Sequence, residues 1–190
     1  MKNLVFRHNV GDSEILFVED NGIIGLVFVP SDMMEKVDLS SEENIDGMIQ
    51  LSVIGDTRFA YFSSGKSMRN SSTSNSFRLK KQRVIKRNYD KIIETTFTGD
   101  YGIVVKNFIE FKNGTKCVKT YNEIKNKGTE DVCVEMTSSF NLSGISPFRG
   151  KEPNMKIYRI IFISGKIHKQ RFIPKLVTVF RCFFIKIRFF

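Results

Sequence analysis

Asn-Gly turns set between runs of β-branched and aromatic residues constrain this chain more than any other feature. Glu14-Ile15-Leu16-Phe17-Val18-Glu19 is followed by Asp20-Asn21-Gly22 and then by Ile23-Ile24-Gly25-Leu26-Val27-Phe28-Val29. Asn and Gly reach positive φ at least cost, so this pairing between two such runs is a hairpin signature. The pattern recurs with a run over 103–111, Asn113-Gly114, and a second run over 116–124. A third boundary, Asn126-Lys127-Gly128, leads into residues 131–140, where Val132, Val134 and Met136 alternate with Asp131, Cys133 and Glu135. Period two is the mark of a half-buried strand.

Further strands are predicted over 49–54, 58–62, 77–86 and 91–98, while only 31–36 and 40–45 offer short helical stretches. Many strands with short polar connections and no long helix predict an all-β fold, an antiparallel sandwich. Residues 63–76 form a Ser-rich connection, read as a flexible surface loop or a binding loop.

The charge divides the chain unevenly. Its net charge is +10, and residues 153–190 carry nine Lys or Arg and no acid. The remaining 152 residues hold 21 basic and 20 acidic side chains, so the sequence pI near 9.6 describes neither part. Three widely spaced cysteines, Cys117, Cys133 and Cys182, give neither a disulfide framework nor zinc spacing. The expectation is reduced thiols in a cytoplasmic protein. The N-terminal residues lack the apolar segment of a signal peptide.

Catalytic chemistry is hard to assemble from these residues. His8 and His168 are the only histidines, and neither sits in a nucleophile motif. Gly65-Lys66-Ser67 resembles the end of a phosphate loop, but the position that needs the first glycine is Ala60. Glu94, Asp100, Glu110, Glu123, Glu130, Asp131 and Glu135 fall where strands present a polar face, and they are read as solvated. No metal or cofactor is expected.

From about residue 46 to 158 the chain resembles the N-terminal domain of glycoside hydrolase family 36, the bacterial α-galactosidases. Three stretches carry the resemblance. The first is Gln50-Leu51-Ser52-Val53-Ile54-Gly55-Asp56, leading to Gly65-Lys66-Ser67-Met68-Arg69-Asn70-Ser71. The second is Thr120-Tyr121-Asn122-Glu123-Ile124-Lys125-Asn126-Lys127-Gly128. The third and most specific is Ser138-Ser139-Phe140-Asn141-Leu142-Ser143-Gly144-Ile145, followed by Ser146-Pro147-Phe148.

The resemblance implies a β-supersandwich that precedes a catalytic (β/α)8 barrel. It implies a retaining hydrolase of terminal α-galactosides that uses one carboxylate as nucleophile and another as acid/base. Both catalytic residues of that family lie in the barrel, so none carries over, and the chain by itself is expected to be inactive. Residues 1–159 then form the N-terminal domain, truncated before the barrel, and α-galactosides would be partners only through that barrel. The resemblance also implies a role in homo-oligomer assembly and a loop near the sugar site. Met68, Arg69 and Asn70 are the substrate-binding candidates on that loop, because Arg and Asn offer planar donors to hydroxyls.

Residues 160–190 depart from the family, being rich in Phe, Ile, Lys and Arg. An out-of-frame or disordered tail is the favoured reading. Its alternatives are a basic apolar segment on an anionic membrane, a nucleic-acid binder with bases stacked on Phe, and a strand paired with the sandwich edge. Lys and Arg recur too often for a spanning helix. Neither nucleic acid nor membrane is expected as a partner of the body. The alternative function is a stand-alone carbohydrate-binding or oligomerisation module.

Overall fold

The computed structural model describes residues 2–40, 45–57, 70–87, 90–114, 117–138, 140–143, 170–172, 177–180 and 184–186. Twelve strands dominate these residues, and every pairing between them is antiparallel. The all-β sandwich expectation holds.

The first sheet is a meander of β1 (Asn3–Val10), β2 (Ser13–Asp20) and β3 (Ile23–Pro30). The β2–β3 turn is the one that Asn21-Gly22 predicts, with φ of 51° and 80°. Strand β1 was not foreseen. Its exposed, mixed sequence Asn-Leu-Val-Phe-Arg-His-Asn-Val has no clean alternation, although Gly11 (φ 75°) marks the hairpin that joins it to β2. A 3-10 turn over Ser31–Lys36 follows β3, where a short helical stretch was expected. Most of the second such stretch, and the predicted strand 58–62, lie outside the described residues.

The second sheet contains β4 (Leu51–Val53), paired with β9 (Val132–Thr137). The third and largest is built on β5 (Arg78–Arg87), β6 (Asp90–Thr98), β7 (Ile103–Lys112) and β8 (Cys117–Asn126), neighbours in that order. Between β4 and β5 the expected Ser-rich loop contains α1 (Ser72–Ser76), a single helical turn. The C-terminal stretch supplies three short strands. β10 (Gln170–Phe172) pairs with β9, while β11 (Val177–Phe180) and β12 (Phe184–Lys186) both pair along β8.

The core lies between the large sheet and the two smaller ones. Ile93, Phe97, Ile103, Val105, Ile109 and Ile124 of the large sheet form one apolar cluster with Ile15, Phe17, Leu26, Phe28, Leu51 and Val134. Strand β7 alternates buried and half-exposed residues along its length, as a one-sided strand should. Strands β2 and β3 do not alternate, because their other face is also covered. Leu16, Val18, Val27 and Val29 pack there under Met34, Val37, Leu39 and Ile45. The unbroken apolar runs in the sequence follow from burial on both faces.

Gly25 makes the second face possible. A Cβ at this position would collide with Ile45 and would stand 2.8 Å from Ser143 Oγ and 2.9 Å from the Asp46 carbonyl. Residues 45–46 and 143 therefore reach the β3 backbone only because no side chain stands there.

Candidate functional site

Asn70 is the one sugar-binding candidate among the described residues; Met68 and Arg69 lie outside them. It is 9% exposed, and its φ of 56° turns the chain into α1. Its side chain faces inward. Asn70 Nδ2 donates to Asp46 Oδ1 at 2.7 Å, and Asn70 Oδ1 accepts from Gln50 Nε2 at 3.1 Å. Gln50 Oε1 in turn accepts the Asn70 backbone N–H at 2.7 Å, closing an amide-to-amide ring. Gln50 Nε2 also donates to the Gly47 carbonyl at 2.9 Å.

The third sequence stretch closes on the same place. Asn141 Nδ2 donates to the Gly47 carbonyl at 2.9 Å, and Ser143 Oγ donates to the Asp46 carbonyl. Ser138 N donates to the Gln50 carbonyl at 2.8 Å, and the Ser138 carbonyl accepts from Asn122 Nδ2 of β8 at 2.8 Å. Asn122, Ser138, Gln50 and Asn70 thus form a continuous polar path from the large sheet to α1, buried except at half-buried Ser138.

Helix α1 is too short to persist alone and is held by its hydroxyls. Ser71 is its N-cap, its Oγ accepting from Ser74 N at 3.1 Å. Ser71 Oγ and Ser74 Oγ both donate to the Leu51 carbonyl at 2.8 Å, and Ser74 Oγ accepts from Leu51 N at 2.9 Å. Two serines thereby act as the missing strand neighbour of β4. Asp56 completes the clamp. It accepts from Val53 N at 3.0 Å, Ser72 Oγ at 3.0 Å and Thr73 Oγ1 at 2.7 Å. Ser72 N donates to the Thr57 carbonyl at 2.8 Å, which ties α1 to the end of the segment that follows β4. Ser composition suggested a loop; buried hydroxyls convert its second half into packed structure.

The remaining candidate chemistry is engaged elsewhere. His8 joins two sheets, its Nε2 standing 2.6 Å from Gln82 Oε1 of β5 while its ring packs edge-on to Phe17. Gln82 Nε2 donates to Thr95 Oγ1 at 2.9 Å, which leaves Gln82 Oε1 as acceptor and the imidazole as donor. Burial lowers the His8 pKa and the Lys91 charge adds to this, against the Gln82 bond and Glu14. Neighbouring Glu14 feels burial as its largest single influence, which pushes it up. The bonds from Arg7 and Asn9, the Arg7 charge and Ser31 outweigh burial, and the carboxyl ends lowered.

On the outer face of the large sheet several side chains engage one another. Phe108 and Tyr121 stack with centroids 4.8 Å apart. The Tyr121 hydroxyl donates to Glu110 Oε1 at 2.8 Å, and Lys119 Nζ lies 3.0 Å from Glu110 Oε2 and 4.9 Å from the Tyr121 ring centre. Burial, then the Glu110 bond and charge, push the Tyr121 pKa well up. Glu94 departs from the expectation of a solvated carboxylate. It is 3% exposed and held by Arg83 at 2.6 Å.

Among the described residues no group of three His, Cys, Asp or Glu is placed to hold a metal ion. No helix there is long and apolar enough to cross a membrane. The Asp46–Gln50–Asn70 knot orients and clamps chain segments; its bonded amides and hydroxyls include no acid–base pair. Gln50, Asp56, Asn70, Asn141 and Ser143 all fall in the stretches that carry the resemblance, but only Asn70 was given a part there, and the bonds of the others, like those of Asp46 and Ser74, were not anticipated. Compared with known proteins, the chain matches no family model, no curated protein and no solved structure.

Proposed function

We propose that this chain is the non-catalytic N-terminal sandwich of an α-galactosidase-like glycoside hydrolase, acting in the cytoplasm. In this reading the hydrolysis of terminal α-galactosides belongs to a barrel beyond the sandwich. One observation carries the reading. The three stretches that resemble the family are distant in sequence, yet Asn122, Ser138, Gln50 and Asn70 bond one to the next. Residues kept to maintain one polar junction would be the ones to persist in a recognisable domain.

Asn70 then serves as a positioning residue. Its amide is engaged by Asp46 and Gln50, so sugar contact falls to Met68 and Arg69, which precede it. Nothing in the described residues favours one of the alternative functions.

Two measurements test the proposal. The purified chain is expected to leave an aryl α-galactoside uncleaved relative to a heat-killed control. The encoding DNA, read in all three frames beyond codon 140, is expected to resume the family pattern and run on into a barrel. Cleavage by the isolated chain would overturn the non-catalytic assignment. Absence of any such frame would overturn the assignment to a longer hydrolase.

A further inference from the structure

Strand β5 combines an open edge with charge of a single sign. It terminates its sheet, pairing only with β6 among the described residues. Its sequence, Arg-Leu-Lys-Lys-Gln-Arg-Val-Ile-Lys-Arg, has six cations in ten residues and no acid. The near-neutral body holds only 21 basic residues before position 153, so this one strand concentrates more than a quarter of them.

Little of that charge is neutralised within the described residues. Arg83 is paired with Glu94, and Arg78 donates to the carbonyls of Asn75 and Phe77. Lys80, Lys81, Lys86 and Arg87 are all exposed and make no ion pair there. Lys86 stands opposite Lys91, and like charges across a ladder repel.

We propose that the outer edge of β5 receives an extended acidic segment of a partner polypeptide, added as a further strand. The unpaired N–H and C=O groups of an edge match another strand's backbone, and alternating side chains then select its sequence. Acidic residues on the incoming segment would neutralise the four free cations. A second copy of this chain is a poor occupant. Pairing β5 with β5 would oppose six cations to six, and other terminal strands among the described residues, β1, β10, β11 and β12, contain no acid. Nucleic acid is disfavoured because β5 carries no aromatic side chain on which bases could stack.

The test uses the full chain and a fluorescent ten-residue peptide of alternating Glu and Val, followed by anisotropy. Saturable binding is expected, weakening by about tenfold between about 50 and 200 mM NaCl as the exposed charges are screened. The same peptide with alternate backbone nitrogens methylated keeps its charge but loses the strand hydrogen bonds, and its binding is expected to disappear. The combined Lys80→Glu, Lys81→Glu and Lys86→Glu variant is expected to lose the peptide too. It retains the nine C-terminal cations, so the loss would belong to β5.

Equal binding of the methylated peptide would overturn strand addition, and tighter binding of a single-stranded oligonucleotide of equal charge would overturn the choice of partner. If no peptide binds, and Lys→Ser changes on β5 make the chain self-associate, the cations guard the edge and receive nothing. That result too would overturn the proposal.

Discussion

Replacing Asn70 separates the two things it does, bonding within the knot and turning the chain at positive φ. Asn70→Gly removes the bond to Gln50 Nε2 and the bond to Asp46 Oδ1. The first is a neutral hydrogen bond of about 1 kcal/mol, and the second is charge-assisted, about 1.5 kcal/mol at the low end. The low end applies because Asp46 is half-exposed and water replaces part of the loss. Glycine accepts a φ of 56° without strain, so the net cost is about 2.5 kcal/mol. Asn70→Ala loses the same bonds and also places a Cβ in the left-handed region, adding about 1 kcal/mol. The chain has no tryptophan, so urea unfolding is best followed by circular dichroism or by tyrosine emission. The expected result is an unchanged slope with midpoints in the order wild type, Asn70→Gly, Asn70→Ala. A glycine variant within about 0.5 kcal/mol of wild type would refute the idea that the knot stabilises the fold.

Other perturbations probe the layers around the knot. Gly25→Ala should cost about 1–3 kcal/mol, because its methyl would meet Ile45, Ser143 and the Asp46 carbonyl, and urea unfolding reads this directly. The His8 pKa is lowered in the folded state, so the unfolded chain binds the proton more readily. His8 therefore contributes stability that is present above its ordinary value of about 6.5 and lost as pH falls below it. Wild type should lose stability between about pH 7 and 5 relative to His8→Asn, and parallel pH curves would contradict the assignment. Arg83→Ala should leave Glu94 as an unpaired buried carboxylate, and Glu94→Gln added to it should recover stability in the same assay.

How far the sequence spoke depended on whether a residue's neighbours were local. The hairpin at Asn21-Gly22 was legible because turn and strands lie within a few residues of one another. Strands β6, β7 and β9 were legible from composition or alternation. Strand β1 was hidden because its burial is set by β2 and by Gln82, 74 positions away, which leaves His8 looking like a stray polar residue. The Ser-rich segment misled for the same reason. Ser71 and Ser74 are polar in composition, but their partner is the Leu51 backbone, 20 and 23 residues earlier. Glu94 looked solvated because its position alternates outward, whereas the cross-strand neighbours Arg83 and Phe108 stand on either side of it. Local chemistry predicted elements; the polar knot depends on contacts that no local pattern encodes.

The sheet margins tie these observations together. An unpaired edge is a liability, and each margin of this fold is handled by different chemistry. Beside β3, single backbone bonds from Met48 N to the Ile24 carbonyl and from Ser143 N to the Leu26 carbonyl occupy two positions. Beside β4, serine hydroxyls occupy the Leu51 amide and carbonyl. Strands β11 and β12 line β8, while β10 lines β9. Among the described residues β1 and β5 end their sheets, as β10, β11 and β12 do, and the pairing of β1 and of β5 is interrupted by an irregularity, at Leu4/Phe6 and Leu79/Lys81. Such irregularities twist an edge and resist flat stacking. Strand β1 is defended by little else, with Leu4 45% exposed. Strand β5 adds six cations in ten residues to the irregularity that already guards its edge. That density is the reason to regard β5 as a surface that selects a partner of opposite charge.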